Sequence, residues 1–254
     1  MTQPIVILIG VTDDVAAHID DRFETTRYTQ RENYVGRLAD DNAAFILINA
    51  DSEPAWRFFT TTPKSSPATR RIPIVVVSAD AEIRAEALIA GANTTLAPDE
   101  VPQKLSDLLN EMARVVEPEI ADEMLRQCGE SLPPEALHAI ELFNAGEFYK
   151  QHDTFEALWM AEDGPARDLY RAILQVGVSY YQVQRGNQRG ALKMLLRSLQ
   201  WLALLPDECQ GVDVARLKTD AAAARAELER VGVDGIEDFD KSLLKPVQMM
   251  NNAN

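Results

Sequence analysis

The chain reads as an α/β domain with a doubly wound parallel sheet, followed by an all-α helical bundle. Three observations predict this. Short runs rich in β-branched residues alternate with helical patterns through about residue 115, strand patterning then stops, and helix-length amphipathic stretches fill the remainder. A length of 254 residues accommodates two cores. The expected boundaries are 1–115 for the α/β domain, 116–132 for a linker and connecting helix, and 133–254 for the helical domain.

The first strands are "IVILI" at 5–9, "FILIN" at 45–49 and "IPIVVVS" at 72–78, with "TTL" at 94–96 as a weaker candidate. Near-continuous apolar strands alternating with helices indicate a parallel sheet covered on both faces. In such sheets chemistry gathers at the carboxyl ends of the strands. The residues there are "GVTDD", "NADSEP", "SADAE" and "APDE". Asp13 and Asp14, just after the first run, are suited to capping a helix, because an acid near a helix N-terminus satisfies free N–H groups and the helix dipole.

The order of these pieces, and above all "SSPATRRIPIVVVSADAEIRAEALIAGANTTLAP", resembles the receiver domain of bacterial response regulators over about residues 3–113. The resemblance implies a five-stranded, flavodoxin-like sheet. It also implies a magnesium-binding acidic pair after the first strand, a phospho-accepting aspartate ending the third, a Ser or Thr after the fourth, and a Lys-Pro after the fifth. Ser78 and Pro98 match; Asn49 stands at the acceptor position, Asp51 comes two residues late, and Ala97 replaces the lysine. An Asn side chain cannot form an acyl phosphate, and without the lysine the phosphoryl oxygens lose a countercharge. The expectation is a phosphorylation-incompetent receiver, with Asp51 as a shifted acceptor being the alternative.

"RVVEPEIADE" at 114–123 breaks the pattern and marks a junction, since a residue before proline is steered away from the helix. Helical stretches then read as about 119–128, 133–146, 147–162, 165–185, 188–204 and 212–231, and no further strand is expected. In "FNAGEFYKQHDTFEALW" at 143–159, Phe148, His152, Phe155 and Trp159 share one helix face, which puts His152 on the apolar stripe. Glu156 is one turn on, Asp153 lies toward the flank, and Glu147 is the remaining acid within reach. On the following helix Arg167, Arg171 and Gln175 fall at steps of four, so Arg171 is a candidate partner for Glu156. Arg189, Lys193 and Arg197 form a basic line suited either to solvent or to docking an anion or acidic partner.

"ELFNAGEFYKQHDTFEALW" followed by "RAILQVGVSYYQVQRGNQRGALKML" resembles domain of unknown function 309, a small helical domain of bacteria and plastids, over about residues 133–205. The positions carrying the resemblance are Phe143, Asn144, Gly146, Glu147, Phe148, His152, Asp153, Glu156, Trp159, Gln175, Arg185, Gly186, Asn187, Gly190 and Ala191. The chain departs from that pattern at Arg171-Ala172, where Gln-Gly is usual, and at Asp153 in the His-acid pair. The family supplies no settled activity. Three readings of His152, Glu156 and Arg171 follow: a buried network fixing the helix packing, a small-ligand or metal site, or an acid/base pair. With no second histidine nearby, no HExxH, no nucleophile elbow and no phosphate loop, the expectation is the packing network, with no metal and no cofactor.

The net charge of −15 divides into −6 through residue 115 (11 basic, 17 acidic) and −9 afterwards (14 basic, 23 acidic). Both parts are acidic, which disfavours nucleic acid or an anionic membrane as partner. "MTQPIVILIGV" has neither the basic region of a signal peptide nor the length of a membrane span, so the cytoplasm is the expected compartment. Cys128 and Cys209, far apart and without CxxC spacing, read as small buried hydrophobes rather than a disulfide framework. The expected function is that of a signalling or scaffold protein. Its partners would be proteins, including a second copy bound through the receiver-like face that contains "EIRAEALIAGA" and "PQKLSDLLNEM".

Overall fold

The structure, a computed structural model, describes residues 3–250. The chain divides into two compact units, Met1–Val115 and Val116–Asn254. The first runs β1 (Ile5–Ile9), α1 (Asp13–Ala16), β2 (Glu24–Arg27), α2 (Tyr34–Asp40), β3 (Ala43–Asn49), α3 (Trp56–Ser65), β4 (Ile74–Val77), α4 (Ala81–Ile89), β5 (Thr94–Leu96) and α5 (Val101–Met112). All strand pairs are parallel, and the order β2-β1-β3-β4-β5 is the doubly wound, flavodoxin-like one.

β3 is central, pairing Ile46 with Ile7 and Ile74. Its alternating side chains therefore feed two cores. Ile46 and Ile48 join Tyr34, Phe59 and Val76 on one face; Phe45 and Leu47 join Val6, Val75, Leu105 and Leu109 on the other. A strand buried on both faces must be apolar at every position, which is why "AAFILI" is continuous. β2, "ETTR", has no such run because it is an edge strand whose side chains are largely exposed.

The second unit comprises α6 (Pro118–Cys128), α7 (Pro134–Asn144), α8 (Phe148–Ala161), α9 (Arg167–Gln184), α10 (Gln188–Leu202), β6 (Glu208–Cys209), β7 (Val212–Asp213) and α11 (Val214–Val231). The helices fall where the 3.6-residue periodicity places them. β6 and β7 correct the expectation that strands cease: they form a two-residue antiparallel ladder, Cys209 opposite Val212, too short to register as an alternation. α6 belongs to this unit, with Met124 and Cys128 in its core.

α9 is the centre of the unit, with eleven of its 18 residues buried. Phe143 of α7 and Phe148 of α8 pack on Tyr180 at 5.6 and 5.4 Å between ring centroids, and Phe155 stacks on Tyr170 at 6.3 Å. Gly177 makes this closeness feasible: a Cβ there would run into the Gln151 amide and lie 3.1 Å from the Phe143 ring. The turn into α10 is built by "RGN". Gly186 takes φ +70°, and the Asn187 side chain accepts from Gly190 N at 3.0 Å while donating to Gln182 Oε1 at 2.8 Å. Asn144 clamps a distant segment, donating to Val247 O at 3.0 Å and accepting from Val247 N at 2.8 Å.

Cys128 and Cys209 form a disulfide across 81 residues, which corrects their reading as separate hydrophobes. Sequence spacing carries no information about a tertiary approach between the end of α6 and β6. Gln210 N donates to Cys128 O at 2.6 Å beside the bridge. Among the described residues no helix is long and apolar enough to cross a membrane. Chain-entropy reasoning for a loop of this size gives about 4–5 kcal/mol, with typical measured losses of about 2–4 kcal/mol. Cys209→Ser, or reduction, is therefore expected to lower the unfolding free energy of the helical unit, read from urea unfolding, by an amount in that measured range, while an unchanged value would show that the bridge adds no stability.

Candidate functional site

At the carboxyl end of the α/β sheet, Asp51 lies exposed in the turn after β3, and each of its carboxylate oxygens accepts a hydrogen bond. Ser78 Oγ donates to Oδ1 at 2.5 Å and Ala79 N donates to Oδ2 at 2.8 Å. Asn49, at the end of β3, accepts from Asp51 N at 3.1 Å and donates to Ser52 Oγ at 3.3 Å, shaping the turn. Arg84 of α4 donates to the carbonyls of Ser78 and Ala79 at 2.6 and 3.0 Å. Asp13 pairs with Arg27 at 2.5 Å, and Asp14 sits in the first turn of α1, where hydrogen bonds from the Thr12 hydroxyl and local backbone N–H groups hold its carboxyl below the usual range. Pro98 opens the turn leading to α5, and Glu100 Oε2 accepts from Ala97 N at 2.8 Å. Gly10 (φ +65°) closes the loop after β1, where a Cβ would lie 2.9 Å from Asn49 O.

In the helical unit the residue buried on the α8 stripe is Gln151, with Phe148 and Phe155; His152 is half-buried, with 34% of its side chain exposed. Steps of three and four from Phe148 fit either residue, and packing against Gly177 selects Gln151. The expected buried network is therefore replaced by a surface arrangement. His152 Nδ1 lies 3.1 Å from Asp153 Oδ1, on a carboxylate that is 79% exposed. His152, Asp153 and Glu156 each offer a donor atom, all within 4.8 Å of one another. Glu147 is at the start of α8, paired with Lys150 at 3.2 Å.

The Arg171 guanidinium stacks between two indoles, 4.3 Å from the Trp159 ring centroid and 3.9 Å from that of Trp201. The carboxylate beside it is Asp168, one turn back on α9, at 3.7 Å. Arg167 also approaches Trp159, at 5.8 Å. Gln175 is buried, and among the described residues its Oε1 has no hydrogen-bond donor. At the other end of this face Tyr149 meets Tyr181 at 5.6 Å, and Arg185 donates to the Tyr181 hydroxyl at 3.0 Å.

These two anchoring contacts fix the helix phases. Tyr149, His152, Glu156 and Trp159 recur at steps of three, four and three along α8, and the two end members touch α9 at Tyr181 and Arg171. His152 and Glu156 thus occupy the middle of the α8 edge of a face floored by α9. Arg189, Lys193 and Arg197 precede Trp201 at steps of four on α10, the first two exposed and the third half-buried. None of the three forms an ion pair among the described residues. Concave pockets of about 400 and 210 Å³ lie elsewhere, the first against Asp213, Arg216 and Met249 and the second against Arg185, Glu237 and Lys241. Asp153, Trp159 and Trp201 were the members hardest to place from sequence, because each reads as an ordinary flank or core residue until the helix phases are known.

A doubly wound α/β unit joined to a helical unit with a polar three-helix face defines the class of protein. Residues 136–194 match the family model described as "Domain of unknown function (DUF309)", so the helical unit carries that domain. The match takes in His152, Arg171 and Lys193 and stops short of Arg197 and Trp201. The chain is also similar to an uncharacterized protein of Aquifex aeolicus (strain VF5), 21% identical over 77 residues, which is 30% of this chain and 23% of that protein. The match thus spans about a quarter of the relative's length.

Burial holds the Asp168 carboxyl above its ordinary value, more strongly than Arg171 and Arg167 lower it. The folded state thus binds this proton more tightly than the unfolded chain. The group's stabilising contribution is complete below the ordinary value of 3.8 and is lost as pH rises through the raised folded value. Comparing wild type with Asp168→Asn by urea unfolding, wild type is expected to gain on the variant as pH falls from 7 toward about 4. A difference independent of pH would contradict the raised value.

Proposed function

We propose that the α/β unit is a receiver-type module that takes no phosphate and works through protein contacts, in a signalling or scaffold protein whose helical DUF309 unit supplies a second surface. The observation that carries this reading is the state of Asp51. Its carboxylate occupies the N–H of Ala79 and the hydroxyl of Ser78, the latter being the hydroxyl that by the resemblance completes a receiver's phosphorylation site. Asn49 stands at the acceptor position and Ala97 at the lysine position. An aspartate held by two hydrogen bonds is a poorer nucleophile, and a phosphoryl group attached to it would lack a countercharge.

Adding beryllofluoride or acetyl phosphate with magnesium to the full chain is expected to leave the amide resonances around Asp51, Ser78 and Ala79 unmoved. A saturable shift there would establish Asp51 as an acceptor and overturn the reading.

A partner surface is supported on α4, where Ala87 is the buried residue and Leu88 and Ile89 are exposed, Ile89 at 87%. A pair of large apolar side chains on a helix with so small a buried face is the pattern of a contact surface. The cytoplasm is the compartment proposed with this reading, and there the Cys128–Cys209 bridge would meet reducing thiols. The expected self-association through α4 and α5 appears as a concentration-dependent mass in light scattering that Ile89→Arg abolishes. A constant monomer mass would remove the second copy from the list of partners and leave other proteins.

A further inference from the structure

Charge is unevenly distributed along the helical unit. Residues 169–206, which take in most of α9 and all of α10, hold five basic residues, Arg171, Arg185, Arg189, Lys193 and Arg197, and no aspartate or glutamate. The rest of the unit carries 9 basic and 23 acidic residues. The α10 bases therefore have no countercharge on their own helix. Arg189, Lys193 and Arg197 follow one another at steps of four, which sets their Cα atoms about 6 Å apart along one side of the helix. The first two are exposed and the third is half-buried.

Local stability does not account for this arrangement. Arg189 sits in the first turn of α10, where the helix dipole favours an acid and disfavours a base, and that turn contains no acid to offset it. Exposed bases on other helices of the unit are tied down: Arg126 to Glu123 and Glu130, Lys150 to Glu147, Arg216 to Asp220 and Arg230 to Glu227. Among the described residues none of the three α10 bases has such a partner. Leu192 and Leu196, each three residues on from a base and so beside it on the helix, are half-buried, which gives the line an apolar margin.

We propose that this side of α10 docks an acidic, amphipathic segment of a partner protein, with carboxylates one helical turn apart against Arg189, Lys193 and Arg197 and aliphatic side chains against Leu192 and Leu196. The charge pattern selects that occupant. An acidic helix repeats its own carboxylates at the same spacing of about 6 Å. A short segment feels the local positive field, whereas a long polyanion or an anionic bilayer would also meet the unit's surplus of acids beyond a Debye length of about 8–10 Å. An inorganic anion would leave the aliphatic margin unused. The inference rests on the protein-contact role proposed above, to which it adds a location for the helical unit's surface, and not on the state of Asp51.

The test uses the full chain and fluorescence anisotropy with a labelled peptide of about 16 residues, long enough for a helix, that carries glutamate at every fourth position beside leucine. A second peptide with glutamine in place of each glutamate is the control. Saturable binding of the acidic peptide is expected, weakening as salt is raised, with the glutamine peptide bound at least about tenfold more weakly. The double variant Arg189→Glu, Lys193→Glu is expected to lose at least about tenfold in affinity, while Lys150→Glu, which reverses an exposed base already paired on α8, binds as wild type does. Reversal at Arg189 puts an acid in the first turn of α10, so thermal melts are expected to show the double variant as stable as wild type. Arg189→Gln with Lys193→Gln removes the charges without reversing them and repeats the measurement in a fold kept closer to wild type. Absent or non-saturating binding, binding that survives both double variants, or equal loss on Lys150→Glu would each overturn the proposal. Tighter binding of duplex DNA or of phosphatidylserine vesicles through the same residues would assign the face to a polyanion, and a wild-type dimer that the reversal dissociates in light scattering would assign it to a second copy; either result also overturns it. The beryllofluoride titration reads Asp51 alone, so the two readings fail separately.

Discussion

Burial of α9 governs the helical unit. A helix packed against α7, α8 and α10, and reached by the segment around Gln210, has few directions in which a polar side chain can meet water. Polar residues on it mostly find a partner or lie at the rim, although the buried Gln175 Oε1 has no donor among the described residues. Ser179 donates to Ala191 O at 2.9 Å and Tyr170 donates to Gln210 Oε1 at 2.8 Å. Arg171 takes the remaining route, laying a flat, weakly hydrated guanidinium between two indoles with Asp168 alongside. A lysine would match neither the planarity nor the stacking. The departure from the usual Gln-Gly at 171–172 is therefore accommodated by Trp159 and Trp201 together.

The same constraint explains why several of the residues carrying the DUF309 resemblance are builders of the fold. Asn144 holds the backbone at Val247, Asn187 caps α10, Gly186 supplies the left-handed turn, and Phe143 and Phe148 pack on Tyr180. Of the remaining positions, Trp159 packs on Arg171 and Ala191 is buried, while His152 and Asp153 lie at the surface.

The fold was legible because its signals are periodic. β3 is continuous because both faces are covered, and α6 to α11 follow the 3.6-residue repeat to within a few residues. What escaped has no local period. β2 is a half-exposed edge strand of threonines, and β6 and β7 are two residues each. The Cys128–Cys209 bridge is a tertiary coincidence across 81 residues. His152, Asp153 and Glu156 were legible as neighbours on one helix turn, and His152 was misplaced in depth. Phe148 to His152 and Phe148 to Gln151 are both helix-compatible steps, and the choice between them was made by Gly177, a residue on another helix whose importance appears only once α8 and α9 are packed. A rotation of α8 by less than one residue exchanged a buried histidine for a buried glutamine.

The two units also differ in how their conspicuous carboxylates are satisfied. Asp51 is exposed, yet Ser78 and Ala79 donate to its two carboxylate oxygens and Arg84 is spent on the carbonyls of the same two residues. A ligand entering there would have to displace an internal carboxylate that cannot diffuse away, so the fold competes with it at high effective concentration. Around His152 the balance is reversed. The Asp153 carboxylate is solvated and the imidazole is half-exposed. A ligand at that face displaces only water. The two sites thus differ in what an incoming group would have to displace: an intramolecular acceptor at Asp51, solvent at Asp153.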